Sequence, residues 1–247
     1  MALIEAESVH VRFGDRVVLE EIDLAVPEGE FHGMMGPNGA GKTTFFNVLT
    51  GRVKPSRGAI RLAGEDVTGL SPHRIAQKGV ARSFQIMTLF DEFTARENVM
   101  VAMPNFRARG FDMRHAVAGN RPLAEEARAG LAAVGLADKA DIRAKDLAYG
   151  ERRALEIAVA LAQRPRVLCL DEPTSGLGSD GVRRLADLVG RLKGRVTMIM
   201  VEHDMSFLFA LADRISVIHW GQVVARGTPR ELQDNPWVRR SNLGKFS

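Results

Sequence analysis

The sequence has few of the features that mark a disulfide-bonded, metal-clustered or membrane-spanning protein. Its single cysteine, Cys169, lies in an apolar run, so we expect no internal disulfide and a small, buried hydrophobic side chain. The six histidines are scattered and lack the spacing of metal ligands. The longest apolar runs, VTMIMV and FLFALA, are far too short to cross a bilayer. The N-terminal segment MALIEAE has an early acidic residue and no apolar core, so it predicts no secretory signal.

The overall composition is typical of a globular protein. The 247 residues are 45% hydrophobic and 26% charged, which predicts one large α/β domain, or one such domain with an inserted subdomain. The net charge is +4 with both signs interspersed, and we expect no nucleic-acid partner. For the basic pair Arg239-Arg240, contact with a membrane protein or a lipid surface stays open. We expect a cytosolic protein unless another chain tethers it.

Residue periodicity divides the chain into three parts. Alternating apolar and polar residues over 2–13 and 17–26 predict an N-terminal β-hairpin or meander. Residues 87–145 hold few strand-like runs and two helical stretches, which predicts an inserted helical subdomain. From residue 150 onward, helices alternate with short apolar strands, and this order predicts a parallel sheet wrapped by helices.

A phosphate-binding loop is predicted at GPNGAGKTT, residues 36–44, where two glycines five positions apart precede lysine and threonine. Glycines let the backbone curl so that successive N–H groups point at phosphate oxygens, and the following helix adds the positive end of its dipole. We expect Lys42 to reach the β- and γ-phosphates and the Thr43 hydroxyl to ligate magnesium.

Two carboxylates end the segment RVLCLDEP, residues 166–173, whose four consecutive apolar residues predict a strand buried on both faces. We expect Asp171 to hold magnesium through water and Glu172 to act as general base on the attacking water. His203 follows the next apolar strand. It is predicted to reach a γ-phosphate and couple to Glu172 if the two strands are neighbours, and a purely structural histidine is the alternative.

The stretch LAYGE, residues 147–151, contains no obvious nucleophile, base or metal ligand. It is interpreted as a short loop that runs into a helix over 150–162, with Gly150 at the junction. A helix start of this kind offers backbone N–H groups and a positive dipole end, which favour a phosphate.

Together these motifs resemble the ATP-binding subunits of ATP-binding-cassette transporters, over nearly the whole chain and in the family's order. The resemblance implies an α/β fold: a P-loop NTPase core with a parallel sheet, an N-terminal antiparallel β subdomain and an inserted helical subdomain. It implies one cassette domain over 1–247. Its nucleotide-binding core would comprise 1–86 and 150–247, its helical subdomain with the signature motif 87–149, and its C-terminal tail 228–247.

The resemblance also implies roles for individual residues, with ATP and Mg²⁺ as cofactors. The residues implied in catalysis are Glu172, His203, Gln85 and Lys42, and those implied as metal ligands are Thr43, Gln85 and Asp171. The residues implied to bind nucleotide are Phe13, stacked on adenine, the loop Gly36, Pro37, Asn38, Gly39, Ala40, Gly41, Lys42, Thr43 and Thr44, and the signature Leu147, Ala148, Tyr149, Gly150 and Glu151.

Four positions depart from the family's commonest pattern. Ala148 replaces a serine whose hydroxyl bonds the γ-phosphate of the facing site, Tyr149 replaces a glycine and Glu151 a glutamine. Gly178 stands where SGLG, the loop that crosses to the facing subunit, commonly ends in aspartate. All four departures concern the site that this chain would complete on a second subunit.

Within the family, the runs LAYGERRALEIA, ARSFQ and TARENVMVA and the C-terminal segment resemble importers of branched-chain and other hydrophobic amino acids, to which urea and amide systems are related. The resemblance implies a transport-coupled ATPase, peripheral on the cytoplasmic face of the inner membrane. Implied partners are a second cassette subunit, identical or related, two membrane permease subunits and, indirectly, a solute-binding protein. The alternatives are a urea or short-amide importer ATPase, a soluble non-transport cassette ATPase, a regulatory module that holds ATP without hydrolysis, and a small-molecule kinase.

Overall fold

The computed structural model describes residues 2–83, 89–104, 106 and 121–240. In chain order, the strands are β1 (Ala2–Phe13), β2 (Arg16–Pro27), β3 (Phe31–Met35), β4 (Arg57–Leu62), β5 (Glu65–Asp66), β6 (Val80–Arg82), β7 (Val167–Asp171), β8 (Thr197–Val201), β9 (Arg214–His219) and β10 (Gln222–Gly227). The helices, labelled in the same order, are α1 (Lys42–Leu49), α2 (Pro72–Gln77), α3 (Ala95–Ala102), α4 (Arg121–Ala133), α5 (Tyr149–Ala162), α6 (Ser179–Leu192), α7 (Met205–Leu211), α8 (Pro229–Asp234) and α9 (Pro236–Arg240).

An antiparallel sheet of four strands forms the N-terminal part of the protein, in the order β2-β1-β4-β5. The predicted hairpin is confirmed, because β1 and β2 pair antiparallel down to Phe13 and Arg16. Gly14 takes the left-handed conformation that the two-residue turn requires, with a φ of 59°. This turn places Phe13 at the tip of the sheet, where the side chain is 55% exposed.

Within the described residues, the second sheet has six strands in the order β10-β9-β3-β8-β7-β6, and all its pairs are parallel except β10 with β9. The predicted parallel sheet is therefore confirmed, with one antiparallel edge strand. The predicted neighbourhood of the strands before Glu172 and His203 is also confirmed, because Asp171 of β7 pairs with Val201 of β8. Parallel strands share a carboxyl edge, so the segments that follow β3, β7 and β8 meet there.

Strand β7 separates two apolar clusters because its successive side chains point to opposite faces. Leu168 and Leu170 join a cluster that continues into the helices, whereas Val167 and Cys169 join a cluster shared with the antiparallel sheet. Burial raises the pKa of the Cys169 thiol to about 12, so this side chain stays protonated and packs as a hydrophobic residue.

Helices α3, α4 and α5 form the helical part of the chain and pack against one another. A capping box fixes the start of α3, because Glu97 N–H donates to Thr94 Oγ1 at 3.2 Å and Thr94 N–H donates to Glu97 Oε2 at 2.7 Å. Buried residues of all three helices belong to the same apolar cluster as Leu168 and Leu170 of the central sheet. Among the described residues, no helix combines the length and apolarity needed to cross a membrane.

The predicted helix over 150–162 is confirmed as α5, which starts one residue earlier. The helix begins at Tyr149, so Gly150 lies in its first turn and not in a preceding loop. The N–H of Arg152 donates to Ala148 O at 2.9 Å, which makes Ala148 the N-cap residue. Glycine is a poor helix former, but the first turn of a helix tolerates it.

Candidate active site

The loop between β3 and α1 has a backbone path that only glycine allows at two positions. At Gly36, with a φ of 154°, an added Cβ would lie 2.0 Å from the carbonyl oxygen of Ile218. At Gly41, with a φ of 104°, it would lie 2.6 Å from the Leu19 side chain. Gly39 has a φ of 78° but open space around it. The loop is thus pressed against β9 and β2 on one side and open at Gly39, where a phosphate would approach.

A pair of glycine substitutions tests this geometry. Gly36→Ala is expected to lower the free energy of unfolding by about 3 kcal/mol, because the new Cβ must displace the backbone of β9. The control, Gly39→Ala, is expected to cost only about 1 kcal/mol for its left-handed conformation. Urea unfolding of both variants measures the difference. Equal losses would contradict the close packing of Gly36 on Ile218.

Lys42 lies at the first position of α1 and is almost fully buried, with 5% of its surface exposed. Its Nζ donates to the carbonyl oxygens of Gly36 at 2.8 Å and Pro37 at 2.9 Å. Burial lowers the pKa of the Lys42 ammonium, while the negative charges of Glu172 and Asp171 act to raise it. The loop therefore folds around its own lysine, whose charge faces the two carboxylates at the end of β7.

Asp171 ends β7 and is completely buried. Its Oδ2 accepts a hydrogen bond from Arg82 Nη2 at 2.5 Å, and its Oδ1 is buried without a hydrogen-bond partner. An unsatisfied buried carboxylate oxygen is costly, and a hydrated cation would satisfy it. Thr43, in the first turn of α1, is exposed. Two oxygen donors of the type that Mg²⁺ prefers are thus available, so the residues present fit this ion.

Glu172 has a strained backbone conformation directly after Asp171. Its φ is 46°, a left-handed value that is rare for a glutamate, and its N–H donates to Val201 O at 2.9 Å. The Glu172 Oε1 lies 2.9 Å from Nε2 of His203, which is 43% exposed in its side chain. The turn thus directs the glutamate to the histidine that follows the neighbouring strand, as the sequence predicts.

Glu202 is a buried acid that the sequence analysis did not single out. Its Oε1 accepts from Thr174 N–H at 2.7 Å and its Oε2 from the Thr174 hydroxyl at 2.8 Å. The N–H of His203 also donates to Oε2, at 3.1 Å. Burial raises the pKa of Glu202 and these hydrogen bonds act to lower it. The carboxylate joins the end of β8 to the segment after Glu172, which fixes the position of His203 beside the glutamate.

The signature segment uses Glu151 to cap its own helix. Since Ala148 has no hydroxyl, the N-cap side chain makes no hydrogen bond, but Ala148 N–H donates to Glu151 Oε2 at 2.9 Å. Lys139 Nζ lies 3.6 Å from Glu151 Oε1. Leu147 is buried in the apolar cluster of the helices. The Ala148 N–H is thus occupied, and it is the first turn of the helix, around Gly150, that offers backbone N–H groups.

Tyr149 joins the signature helix to the loop 175–178. Its hydroxyl donates to Ser175 O at 3.1 Å, and its ring lies so close to Gly176 that an added Cβ would contact it at 3.0 Å. A Cβ added at Gly150 would lie 3.6 Å from the side chain of Leu177 in the same loop. The two segments, which the sequence analysis assigned separately to a facing subunit, are therefore packed together within one chain.

Removal of the tyrosine ring is expected to loosen this loop. Tyr149→Ala should increase amide hydrogen exchange at Ser175 and Leu177 by more than about fivefold, because the lost hydrogen bond of about 1 kcal/mol accounts for about fivefold and the lost ring packing at Gly176 adds to it. These amides donate to Glu172 O and Thr174 O in the intact turn. Tyr149→Phe, which keeps the ring beside Gly176 and loses only the hydrogen bond, is the matched control and should show only the increase of about fivefold. Unaltered exchange in Tyr149→Ala would contradict the role of Tyr149 as an anchor.

The structure brings together Lys42, Asp171, Glu172 and His203 at the carboxyl edge of the parallel sheet. The signature residues lie elsewhere, and three of them, Ala148, Gly150 and Glu151, line a cleft of about 420 Å³ that is shared with α6. Phe13 is exposed at the hairpin tip, and its stacking on adenine stays a prediction. Gln85, predicted for both metal binding and catalysis, lies outside the described residues. Arg82 and Glu202 are the partners that the sequence did not reveal.

A glycine loop closed around a buried lysine, next to two strand-end carboxylates, defines a phosphate-loop NTPase. A family model described as "ABC transporter" matches residues 19–175. The high-affinity branched-chain amino acid transport ATP-binding protein BraF of Pseudomonas aeruginosa is 42% identical, over 98% of each chain. This chain belongs to the ABC transporter family.

Solved structures support the same family. A nucleotide-free ATP-binding cassette from an ABC transporter superposes with a TM-score of 0.85 at 25% identity, over 99% of this chain and all of the other. A cassette in a dimeric post-hydrolysis state, bound to ADP and Pi, superposes with a TM-score of 0.77 at 25% identity, over 92% of this chain and 99% of the other. The predicted fold, with its antiparallel sheet and inserted helices, is confirmed.

Proposed function

We propose that this protein is the ATP-hydrolysing motor subunit of a membrane importer for branched-chain or other hydrophobic amino acids. The observation that carries the ATPase assignment is the contact of Glu172 Oε1 with His203 Nε2 at 2.9 Å, beside the buried Lys42. The cargo assignment is supported by the similarity to BraF over nearly the full chain. ATP is the nucleotide, because the relatives that match are ATP-binding cassettes.

Each residue at the carboxyl edge of the sheet has a different role in ATP binding or hydrolysis. Lys42 exchanges its bonds to Gly36 O and Pro37 O for the β- and γ-phosphates. Glu172 accepts a proton from the attacking water, and His203 orients the carboxylate and bonds the γ-phosphate. Thr43 and Asp171, with Gln85 from the family resemblance, would hold Mg²⁺. When bound, this ion neutralises phosphate charge.

A complete site requires a second cassette subunit, identical or related. In this pair, the signature residues Leu147–Glu151 of one chain would face the phosphate loop of the other, with two nucleotides between the two chains. Gly150 and its neighbours then present backbone N–H groups to a γ-phosphate. Hydrolysis opens the pair. The dimeric cassette structure supports this arrangement, since a cassette of the same fold is seen there as a dimer.

The helical part of the chain would transmit this motion to two membrane permease subunits, with a solute-binding protein as an indirect partner. We assign 1–86 and 150–247 to the nucleotide-binding core, 87–149 to the helical subdomain and 228–247 to a C-terminal tail. The protein would lie peripherally on the cytoplasmic face of the inner membrane, held there by the permeases.

Uptake measurements in cells that lack this protein test the proposal. Uptake of leucine, isoleucine and valine is expected to fall and to recover with the wild-type gene, but not with a Lys42→Ala gene. Urea and short amides serve as the competing cargo class. If only the uptake of urea or short amides is lost, the cargo is urea or a short amide and not a branched-chain amino acid. Normal uptake of the whole panel, together with ATPase activity of the purified protein, would favour a non-transport cassette ATPase.

A further inference from the structure

Arg82, the last residue of β6, joins three elements around the metal-binding carboxylate. Its Nη2 donates to Asp171 Oδ2 at 2.5 Å, and its Nη1 donates to Asn47 Oδ1 at 2.6 Å and to Thr50 Oγ1 at 3.3 Å. The guanidinium also lies over the Phe46 ring, 5.5 Å from its centroid. Two partners on α1 and Thr50, the residue that caps its C-terminus, thus hold this arginine in one orientation against the end of β7.

The two ends of this contact are desolvated. The side chain of Arg82 is 8% exposed and that of Asp171 is 0% exposed. Burial of an ion pair costs solvation energy. A buried ion pair therefore adds little to the free energy of unfolding unless hydrogen bonds satisfy both partners. Here one oxygen of Asp171 stays without a hydrogen bond, although an arginine has enough donors to satisfy both oxygens. The arrangement is therefore incomplete as a structural ion pair.

We propose that Arg82 is a positioning residue for magnesium: it holds Oδ2 of Asp171 so that Oδ1 remains available to the hydrated ion that arrives with ATP. The inference rests on the proposed function, because it assumes that Mg-ATP is bound beside Asp171. Arg82 itself touches neither the nucleotide nor the ion. Its contacts with Asn47 and Thr50 prevent the guanidinium from turning to cover both oxygens of the carboxylate.

This geometry also links the carboxylate to the helix that begins at the phosphate loop. Asn47 and Thr50 lie at the end of α1 opposite to Lys42 and Thr43. Arg82 therefore sets the position of Asp171 relative to the same helix that carries the predicted threonine ligand of the metal. Lysine cannot replace this function, because an ammonium lacks the planar fork that reaches Asp171 and Asn47 together.

The test compares ATP affinity with and without the metal. ATP binding to the purified full-length protein is measured by calorimetry at low temperature, in excess Mg²⁺ and in EDTA, and the ratio of the two Kd values gives the gain from the metal. We expect Arg82→Lys to reduce this gain about 10- to 100-fold, as for other residues that orient a metal ligand. The Kd in EDTA should be unchanged, because Arg82 does not contact phosphate.

Two further variants separate positioning from folding. Asn47→Ala removes the anchor of the guanidinium but keeps both charges, and should reduce the metal-dependent gain about fivefold, the equivalent of one hydrogen bond. Asn47→Ala also tests the inference if Arg82→Lys does not fold. Arg61→Lys is the matched control, since Arg61 pairs with Glu7 on the exposed antiparallel sheet and should leave the gain unaltered.

The outcomes distinguish this inference from the proposed function. If Mg²⁺ does not increase the ATP affinity of the wild-type protein, the assignment of the magnesium site is wrong, and the inference about Arg82 is wrong as well. If Mg²⁺ increases the ATP affinity of Arg82→Lys and Asn47→Ala as much as that of the wild type, Arg82 has no positioning role. The proposed function then stands. A parallel loss of affinity in EDTA and in Mg²⁺ would show a general structural defect and would also overturn the inference.

Discussion

Glu172→Gln is expected to reduce kcat for ATP hydrolysis by about 10²- to 10⁴-fold, the usual contribution of a positioned general base. Glutamine has nearly the same shape and preserves the strained turn, but its amide cannot accept the proton of the attacking water. Binding of ATP should persist, because Lys42 and the loop are unchanged. Two subunits that close over ATP should then remain closed, and a dimer should accumulate in gel filtration with ATP.

The control for this experiment is Glu125→Gln, the same change at an exposed position on α4. It should leave both turnover and the elution position with ATP unaltered. Turnover is measured as phosphate release at saturating ATP, so that a change in KM does not affect the measured rate. Near-normal phosphate release by Glu172→Gln would exclude Glu172 as the base. Slow turnover without a dimer would instead indicate that closure depends on a different partner subunit.

Lys42→Ala is expected to weaken ATP binding by about 10- to 100-fold, because charge-assisted hydrogen bonds to phosphate contribute about 1.5–3 kcal/mol. The loss has a second origin in the free protein. Nζ bridges Gly36 O and Pro37 O, so the alanine variant also loses the contacts that keep the loop curled. Calorimetric titration with ATP, in the presence of Mg²⁺, measures the change.

Two further lysine variants make this result specific. Lys42→Arg keeps the charge, but a guanidinium is too large for a position that is 5% exposed, so we expect only a partial recovery of affinity. Lys78→Ala removes a lysine that pairs with Glu65 near the protein surface and should bind ATP normally. Unchanged affinity in Lys42→Ala would contradict the phosphate-binding role of the loop.

Motifs made of neighbouring residues were predictable from the sequence, because their chemistry depends on local spacing. The loop 36–44 and the pair Asp171-Glu172 are examples: each follows a short apolar strand, and a parallel sheet brings such strand ends together. The approach of His203 to Glu172 was also predictable, once the two preceding strands were taken as neighbours.

Partners from distant segments were not predictable. Arg82 and Asp171 lie 89 positions apart, and Thr174 and Glu202 lie 28 apart. In the sequence, Arg82 is an ordinary strand-end arginine and Glu202 an acid next to a more conspicuous histidine. Their roles arise only from the pairing order of β6, β7 and β8. The ring of Tyr149 over Gly176 likewise depends on tertiary packing.

The apolar cluster that runs from the central sheet into α3, α4 and α5 has a consequence for protein engineering. In a chimera, residues 87–149 would be exchanged for those of a relative. The junction after residue 149 would separate the first residue of α5 from the rest of the helix, which continues to Ala162 within the hydrophobic core. Ala95, Leu131 and Leu155 are fully buried in that core and would meet foreign neighbours. A graft that includes the whole of α5 would keep these contacts together, and it is the better design for such a chimera.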